Sequence, residues 1–538
     1  MKIVKRVPRN ILKIHEKLLL YKNYDFYIYL IYLISFFYLY FNQIFVANEN
    51  YSLMSASDVD SASNLKAILG LYEYPFYSMF NSYHSLFYGW TFYSITSIIY
   101  LPFKILNDLS INSFMYDAIG IKLIFFIYGY ILIISHHILL NFFLNNKFKL
   151  LSLLLTFNLI IPFDKKLFIQ LHPEIIGMFF LNLAILFLFK YKYKFKYQHN
   201  YKFLVFSALS AYSKQVFIFS LIPLFFYYVF QDINLRLLQK VKEIKRFLKF
   251  CFIIFFVFLA VFLFVHPYAF FDVKKFLTHQ TSLFFSFQGE SASFFLSCTR
   301  WIALVLNNDL ILAASLISSF LIFIIYLATY FYHKIFFQFI VLFSITLIFL
   351  FVVIAKGNSQ ILSLHYLNPL IIFSHLILSL LFIQIYLKIK NTIFKKLIYV
   401  IFSFFLILNI FLNYKNLNTY LYERLDYQNT LPYLIYNKTS EIFVNEPNAK
   451  IAHDHFVSIH SDYIDNSCHY WTTCPNYDSI VIFNPDYIIL NPNFSWLNKP
   501  HEPTENLKKY IIENGMILVN QVYINDPNKP KIYIYKKN

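Results

Sequence analysis

The stretch DFYIYLIYLISFFYLYFNQIF, Asp25–Phe45, decides the fold. It is apolar and aromatic along its length, and about 20 such residues suffice to cross the hydrocarbon of a bilayer as a helix. The lead before it carries Lys2, Lys5, Arg6, Arg9, Lys13, Lys17 and Lys22. A basic lead of that length followed by a span-length run argues against a cleavable signal peptide. It places the amino terminus in the cytoplasm by the positive-inside rule.

The rest of the chain repeats the pattern. Of its 538 residues 59% are hydrophobic and 14% charged, with a mean hydropathy of +0.54. Soluble domains run near roughly 45–50% and about 25%. The formal charge of +18 would suggest nucleic acid in a soluble protein, but the basic residues fall in short segments between apolar runs, so topology explains them and no nucleic-acid partner is expected. The aromatic richness, beside only 8 Gly, is read as compositional bias and not as a cofactor box.

Loop charges set the number of spans. The run His84–Leu106 is interrupted by Pro102 and Lys104 and is followed closely by Asp117–Phe143. If it crosses, the basic segments Asn146–Lys149, Lys190–Lys202, Arg236–Lys249, His333–Lys334 and Lys388–Lys396 all land outside. If it lies in the interface as an amphipathic segment they all land inside, as the charge rule requires. About eleven spans follow, at 25–45, 117–141, 148–163, 174–190, 201–213, 216–230, 248–266, 309–332, 335–355, 361–387 and 397–413. The fifth and sixth are short and read as half-helices meeting near Ser213-Lys214-Gln215.

The expected architecture is an all-α polytopic membrane protein in three parts. A cytoplasmic lead (1–24) precedes a transmembrane domain (25–413), with outer loops at 46–116 and 164–173, and a soluble α/β domain (414–538) follows on the outer face. In the tail, Ser479–Phe483, Asp486–Leu490 and Lys531–Tyr535 read as strands, and Glu502–Asn514 reads as a helix stopped by Gly515. Cys251 and Cys298 suit buried apolar positions. Cys468 and Cys474 are candidates for a disulfide on an oxidising face, and their spacing fits no common zinc pattern. His453-Asp454-His455 could bind a metal only weakly.

Candidate functional groups collect on the outer side. Asp58 and Asp60 open the first outer loop within Ser55–Asn64, and His172-Pro173-Glu174 closes the second. Lys214, His266 (in His266-Pro267-Tyr268) and His365-Tyr366 lie near the outer ends of later spans, with His84, Tyr88 and Trp90 in the interfacial segment. Each has a plainer reading. The aspartates could cap a helix over Ala62–Gly70. Glu174 could answer a helix dipole, Lys214 could snorkel, and the histidines and Arg300-Trp301 could serve at the interface.

In order and spacing, Asp25–Tyr414 resembles the GT-C-fold glycosyltransferases that use polyprenyl-phosphate sugars, such as protein O-mannosyltransferases and lipid A aminoarabinose transferases. The motifs are Asp58-Val59-Asp60, Gly70, Pro75 and Ser85-Leu86-Phe87-Tyr88-Gly89-Trp90, then His172-Pro173-Glu174, Ser213-Lys214-Gln215, and His365-Tyr366 with Pro369. The chain departs by Asp-Val-Asp in place of Asp-Glu, Glu174 in place of Asp, and His365 in place of Arg. Spacing to Gly70 and Pro75 favours Asp58 as the functional acid, and proximity to Asn64 leaves Asp60 open.

The resemblance implies sugar transfer from a polyprenyl-phosphate donor to a lipid, glycan or protein acceptor at the outer face; a bacterial inner membrane with a periplasmic outer face is expected, and the topology alone fits an ER lumen too. Asp58, Asp60 and Glu174 would be the catalytic acids, and His84, Tyr88, Trp90, His172, Lys214, His266, His365 and Tyr366 would bind substrate. Asp58 and Asp60 would also be the ligands of a divalent cation, Mg or Mn, where one takes part. A transporter or flippase calls for ionisable groups near the midplane and paired broken helices, and a non-catalytic assembly protein would use the tail as its binding module.

Overall fold

Each of the eleven apolar segments falls on a helix in the computed structural model. It describes residues 9–48, 53–54, 59–73, 90–107, 113–144, 148–190, 200–214, 216–232, 241–265, 294–329, 335–357, 364–454, 467–469, 476–491, 495–496, 499–500, 502–522 and 532–537. The helices are α1 (Arg9–Tyr40), α2 (Val59–Glu73), α3 (Trp90–Asn107), α4 (Ser113–Leu144), α5 (Lys149–Ile160), α6 (Glu174–Lys190) and α7 (Tyr201–Ser213). They continue as α8 (Val216–Asp232), α9 (Val241–Val265), α10 (Phe294–Asn308), α11 (Leu310–Thr329), α12 (Ile335–Gly357), α13 (Asn368–Lys388) and α14 (Thr392–Leu425). Four segments are long and apolar enough to cross a membrane by length and composition: Asp25–Phe45, Phe114–Leu144, Asn368–Lys388 and Thr392–Leu425.

One continuous core runs through the bundle, rich in rings: Phe36 packs against Tyr40, Phe126 and Phe168. Helix α13 is buried almost throughout, from Asn368 to Ile383. Many side chains of α14 instead face outward, Ile393, Val400, Phe404 and Phe411 among them. A helix apolar all round belongs in a core, whereas an exposed apolar face suits lipid.

Cross-helix bonds define one end of this bundle. Lys122 of α4 reaches Val46 O (2.8 Å) and Asn48 Oδ1 (2.5 Å) just past α1. Asn368, at the start of α13, meets Asp164 in the turn after α5 (2.7 Å). Gln43 reaches Leu421 O late in α14 (3.2 Å). Helix α3 belongs to the same end. Thr91 bonds Leu209 O (3.1 Å) and Ser94 bonds Val265 O (2.8 Å), near the carboxyl ends of α7 and α9. Its other end meets the start of α4, where Tyr100 (2.6 Å) and Lys104 (3.1 Å) hold Asp117.

Helix α14 continues unbroken past Tyr414 to Leu425, and helix α15 (Leu431–Asn445) follows. Tyr427, Tyr433 and Tyr436 then pack on Val46, Ala47 and Leu53, so the carboxyl-terminal region sits on the end just defined. Its five-stranded sheet has the order β2 (Ser467–His469), β1 (Ile451–His453), β3 (Tyr487–Leu490), β7 (Ile532–Lys536), β6 (Ile517–Val522). Strands β2, β1 and β3 are parallel, and β7 runs antiparallel to β3 and β6. A two-residue pair, β4 (Ser495–Trp496) with β5 (Lys499–Pro500), stands apart.

Two strand expectations hold, at β3 and β7, and helix α17 (Glu502–Glu513) stops before Gly515, which takes φ +56. Ser479–Phe483 is not a strand. It lies in helix α16 (Tyr477–Phe483), capped by Asn476 Oδ1 on Ser479 N (2.9 Å) and stopped by Asn484 in the left-handed region. Only Ile480 of that helix is buried, so the apolar run Ile-Val-Ile-Phe reflects hydropathy without strand burial. Cys468 is disulfide-bonded and Cys251 and Cys298 are free thiols; Cys474 lies outside the described residues. Cys251 is exposed on α9, against the expectation of burial.

Candidate active site at the end of the helix bundle

Glu174 begins α6, where unpaired amides of the first turn favour a carboxylate. The helix starts here because Pro173, which cannot donate, leaves its carbonyl to accept from Gly177 N (3.0 Å). One turn on, Gly177 lets the Phe217 ring of α8 lie directly against the backbone, and a Cβ would collide with that ring. Ser210 of α7 bonds Gly177 O (2.9 Å), locking α6 and α7 side by side.

That packing delivers Lys214. Helix α7 stops at Ser213, and Lys214 is extended, with φ −160 and ψ 139, before α8 begins at Val216. The expected break between two short helices is therefore present. Lys214 Nζ donates to Glu174 Oε1, and His172 Nδ1 lies against Glu174 Oε2. All three side chains are buried. The Tyr366 ring lies 5.2 Å from Lys214 Nζ, a cation–π contact with the cation already drawn to a carboxylate.

The loop carrying His172 is tied back to Tyr366 by a route the sequence reading missed. Asp164 is buried and accepts from Asn368 Nδ2 (2.7 Å) and from Lys166 N (3.1 Å). Asn368 lies two residues past Tyr366, on the 3-10 turn Leu364–Leu367 that leads into α13. Burial pushes the Asp164 carboxyl above the ordinary carboxylate range, and the nearby Glu174 charge adds to the effect. Two acids on one loop thus differ in environment: Glu174 faces cations, and Asp164 faces an amide in a dry site. Asp164-Lys165-Lys166 reads as a solvated turn in sequence, and the only signal against that was its position just before His172-Pro173-Glu174.

The first loop reaches the same place. Ser61 Oγ accepts from Leu171 N (2.8 Å), and Asn64 Nδ2 donates to Leu171 O. Both belong to the first turns of α2, so the backbone of Asp60 is one residue from an anchor on the His172 loop. Tyr93 of α3 donates to Asn64 Oδ1 (2.6 Å), bringing the segment after Trp90 to the same junction.

Of the expected site residues, the structure gathers Glu174, His172, Lys214 and Tyr366, and it places the backbones of Asp60, Trp90 and His365 on α2, α3 and the turn before α13. Asp58, His84, Tyr88 and His266 lie outside the described residues. Among the described residues no group of three His, Cys, Asp or Glu side chains converges as metal ligands; Asp58 and the side chain of Asp60, the expected ligands of a divalent cation, lie outside them.

Comparison with protein-family models gives no match to this chain, and comparison with curated proteins gives none either.

Proposed function

We propose that the protein is an integral membrane glycosyltransferase of about eleven spans, moving a sugar from a polyprenyl-phosphate donor to a lipid, glycan or protein acceptor. The reading sets this at the outer, periplasmic face of a bacterial inner membrane. The observation that carries it is the clasp of Ser61 and Asn64 on Leu171, which ties the start of α2 to the loop that bears His172 and leads to Glu174.

The chemistry asks for a base and a phosphate partner. A carboxylate of the cluster, Glu174 or an aspartate of the first loop, takes the proton of the acceptor hydroxyl. The acceptor oxygen then bonds the anomeric carbon as the bond from that carbon to the phosphate oxygen breaks. The electron pair leaves with the polyprenyl phosphate, whose charge Lys214 neutralises as a point charge. In the free enzyme Glu174 holds that ammonium in place; a donor phosphate competes for it and releases the carboxylate for proton transfer.

The test is purified protein with a short-chain polyprenyl-phosphate sugar and a panel of hydroxyl acceptors, following release of polyprenyl phosphate. Release that depends on acceptor supports transfer, and none from any donor sinks it.

One observation favours a second reading, passage of a lipid or sugar across the membrane. Buried imidazoles lie inside the bundle: His136 of α4 meets His375 of α13 (2.8 Å), and His137 meets Tyr32 of α1 (2.8 Å). Intramembrane ionisable groups mark transport paths in many proteins. The same protein in sealed vesicles, showing movement of donor lipid between leaflets without acceptor, would favour this reading.

A further inference from the structure

We propose that the turn between α13 and α14 binds the headgroup of an anionic phospholipid, whose chains lie along the outward face of α14. The sequence sets the charge. Lys388, Lys390, Lys395 and Lys396 follow one another closely, and the chain holds no Asp or Glu from 310 to 422. This stretch therefore supplies four cations and no acid to answer them. At the same end of the bundle Asp25 of α1 is held by Lys149 of α5 (3.2 Å). Among the described residues none of the four lysines pairs with an acid.

The turn is short and held on both sides. Ile389-Lys390-Asn391 is all that joins the two helices. Ile389 N donates to Ile385 O (3.3 Å), closing α13, and Asn391 Oδ1 accepts from Ile393 N (2.8 Å), opening α14. Lys395 Nζ lies 5.4 Å from the centre of the Tyr386 ring, which stands edge-on to Phe148, the residue before α5. Lys388, Lys390 and Lys396 are exposed. An ammonium over a ring keeps its charge, so all four remain open to an anion.

The surroundings point to a lipid as the source of that anion. Leu387, Ile393, Phe394 and Leu397 alternate with the lysines and are exposed, and α14 carries the same apolar face onward through Val400, Phe404 and Phe411. Both helices are long and apolar enough to cross a bilayer, so the turn joining them falls at headgroup level. It stands about 30 Å from Asp164, since α13 begins at Asn368, which bonds that residue, and rises 1.5 Å per residue. Clusters of four or more basic residues at the end of a membrane helix attract anionic headgroups, while lysine stems lie on apolar surface with the ammonium at the interface. A free anion or a soluble polyanion would answer the lysines and leave the apolar side chains between them unused. The inference rests on the bundle lying in a bilayer and not on the transfer reading.

The experiment is a thermal melt of full-length protein in a neutral detergent, titrated with phosphatidylglycerol, phosphatidylcholine or inorganic phosphate. We expect a saturable rise in melting temperature with phosphatidylglycerol and not with the other two. Its midpoint should move to higher lipid concentration as salt is added. Lys388→Gln, Lys390→Gln, Lys395→Gln and Lys396→Gln together should weaken the response by about fivefold per lysine removed, and arginine at the same four positions should keep it. Lys415→Gln, toward the other end of α14, should respond as wild type does. An equal rise with phosphatidylcholine or with inorganic phosphate, or an undiminished rise in the fourfold glutamine variant, would overturn the proposal. If that variant melts early without lipid, Lys390→Gln/Lys396→Gln decides in its place.

Discussion

Two of the regions where the bundle buries polar groups are made of different chemistry. At its end, Glu174, Lys214, His172 and Asp164 bring two acids, a lysine and an imidazole together. Around His136 and His137 the polar groups pair without a carboxylate or ammonium among the bonds that join them. His136 meets His375, Asn182 meets Ser135 (3.1 Å), and His137 meets Tyr32, Ser152 (3.1 Å) and Asn141 (2.8 Å). Charge is expensive in hydrocarbon and neutral hydrogen bonding much less so. Carboxylate and ammonium groups meet at that end, whereas imidazole, amide and hydroxyl groups join the helices along the middle.

Glu174→Gln gives the largest expected effect on activity. On the proposed reading in which Glu174 accepts the proton, its loss lowers transfer by about 10²–10⁴-fold, the range of general-base catalysis, with protein levels matched to wild type. An equal fall with His136→Leu would erase the distinction between the two regions.

Lys214→Met strands a buried carboxylate and should cost about 3–5 kcal/mol of stability. The double variant Lys214→Met/Glu174→Gln should recover most of it, read as melting temperature in detergent. His136→Leu should cost less, about 1–3 kcal/mol, by leaving one hydrogen-bonding atom unpaired in the core. Adding His375→Leu should restore part of that. If the histidine pair proves costlier to break than the lysine–glutamate pair, the assignment of charge to the end and packing to the middle fails.

Asp164 offers a finer test through pH. Its carboxyl is raised in the folded protein, so folding favours its protonated form. Its contribution to stability is greatest below the ordinary carboxylate range and declines as pH rises toward its folded value. Melting of Asp164→Asn should lack this component, giving a flatter profile over mildly acidic pH than wild type.

Much of this was legible in sequence. Apolar periods placed the helices, and His172-Pro173-Glu174, Ser213-Lys214-Gln215 and Tyr366 pointed to side chains that do meet. Asp164 and Asn368 were not legible, because nothing in a turn or a helix start shows that two polar residues 204 positions apart share a bond. The adjacent His136 and His137 stand plainly in the run 117–141, but formal charge counts an imidazole as nothing and gives no sign of the bonds they make. Helix α14 outran its expected end because residues 414–425 are polar enough to leave the bilayer yet hold no Gly or Pro to stop the helix.

The central claim is that the start of α2 and the Glu174 loop form one site. Its most direct test is a cysteine pair, Ser61→Cys with Leu171→Cys, in a protein whose free Cys251 and Cys298 are changed to serine. Mild oxidation in native membranes should close the pair rapidly and abolish sugar transfer, with reduction restoring it. A pair that stays open in protein that melts as wild type does would contradict the account.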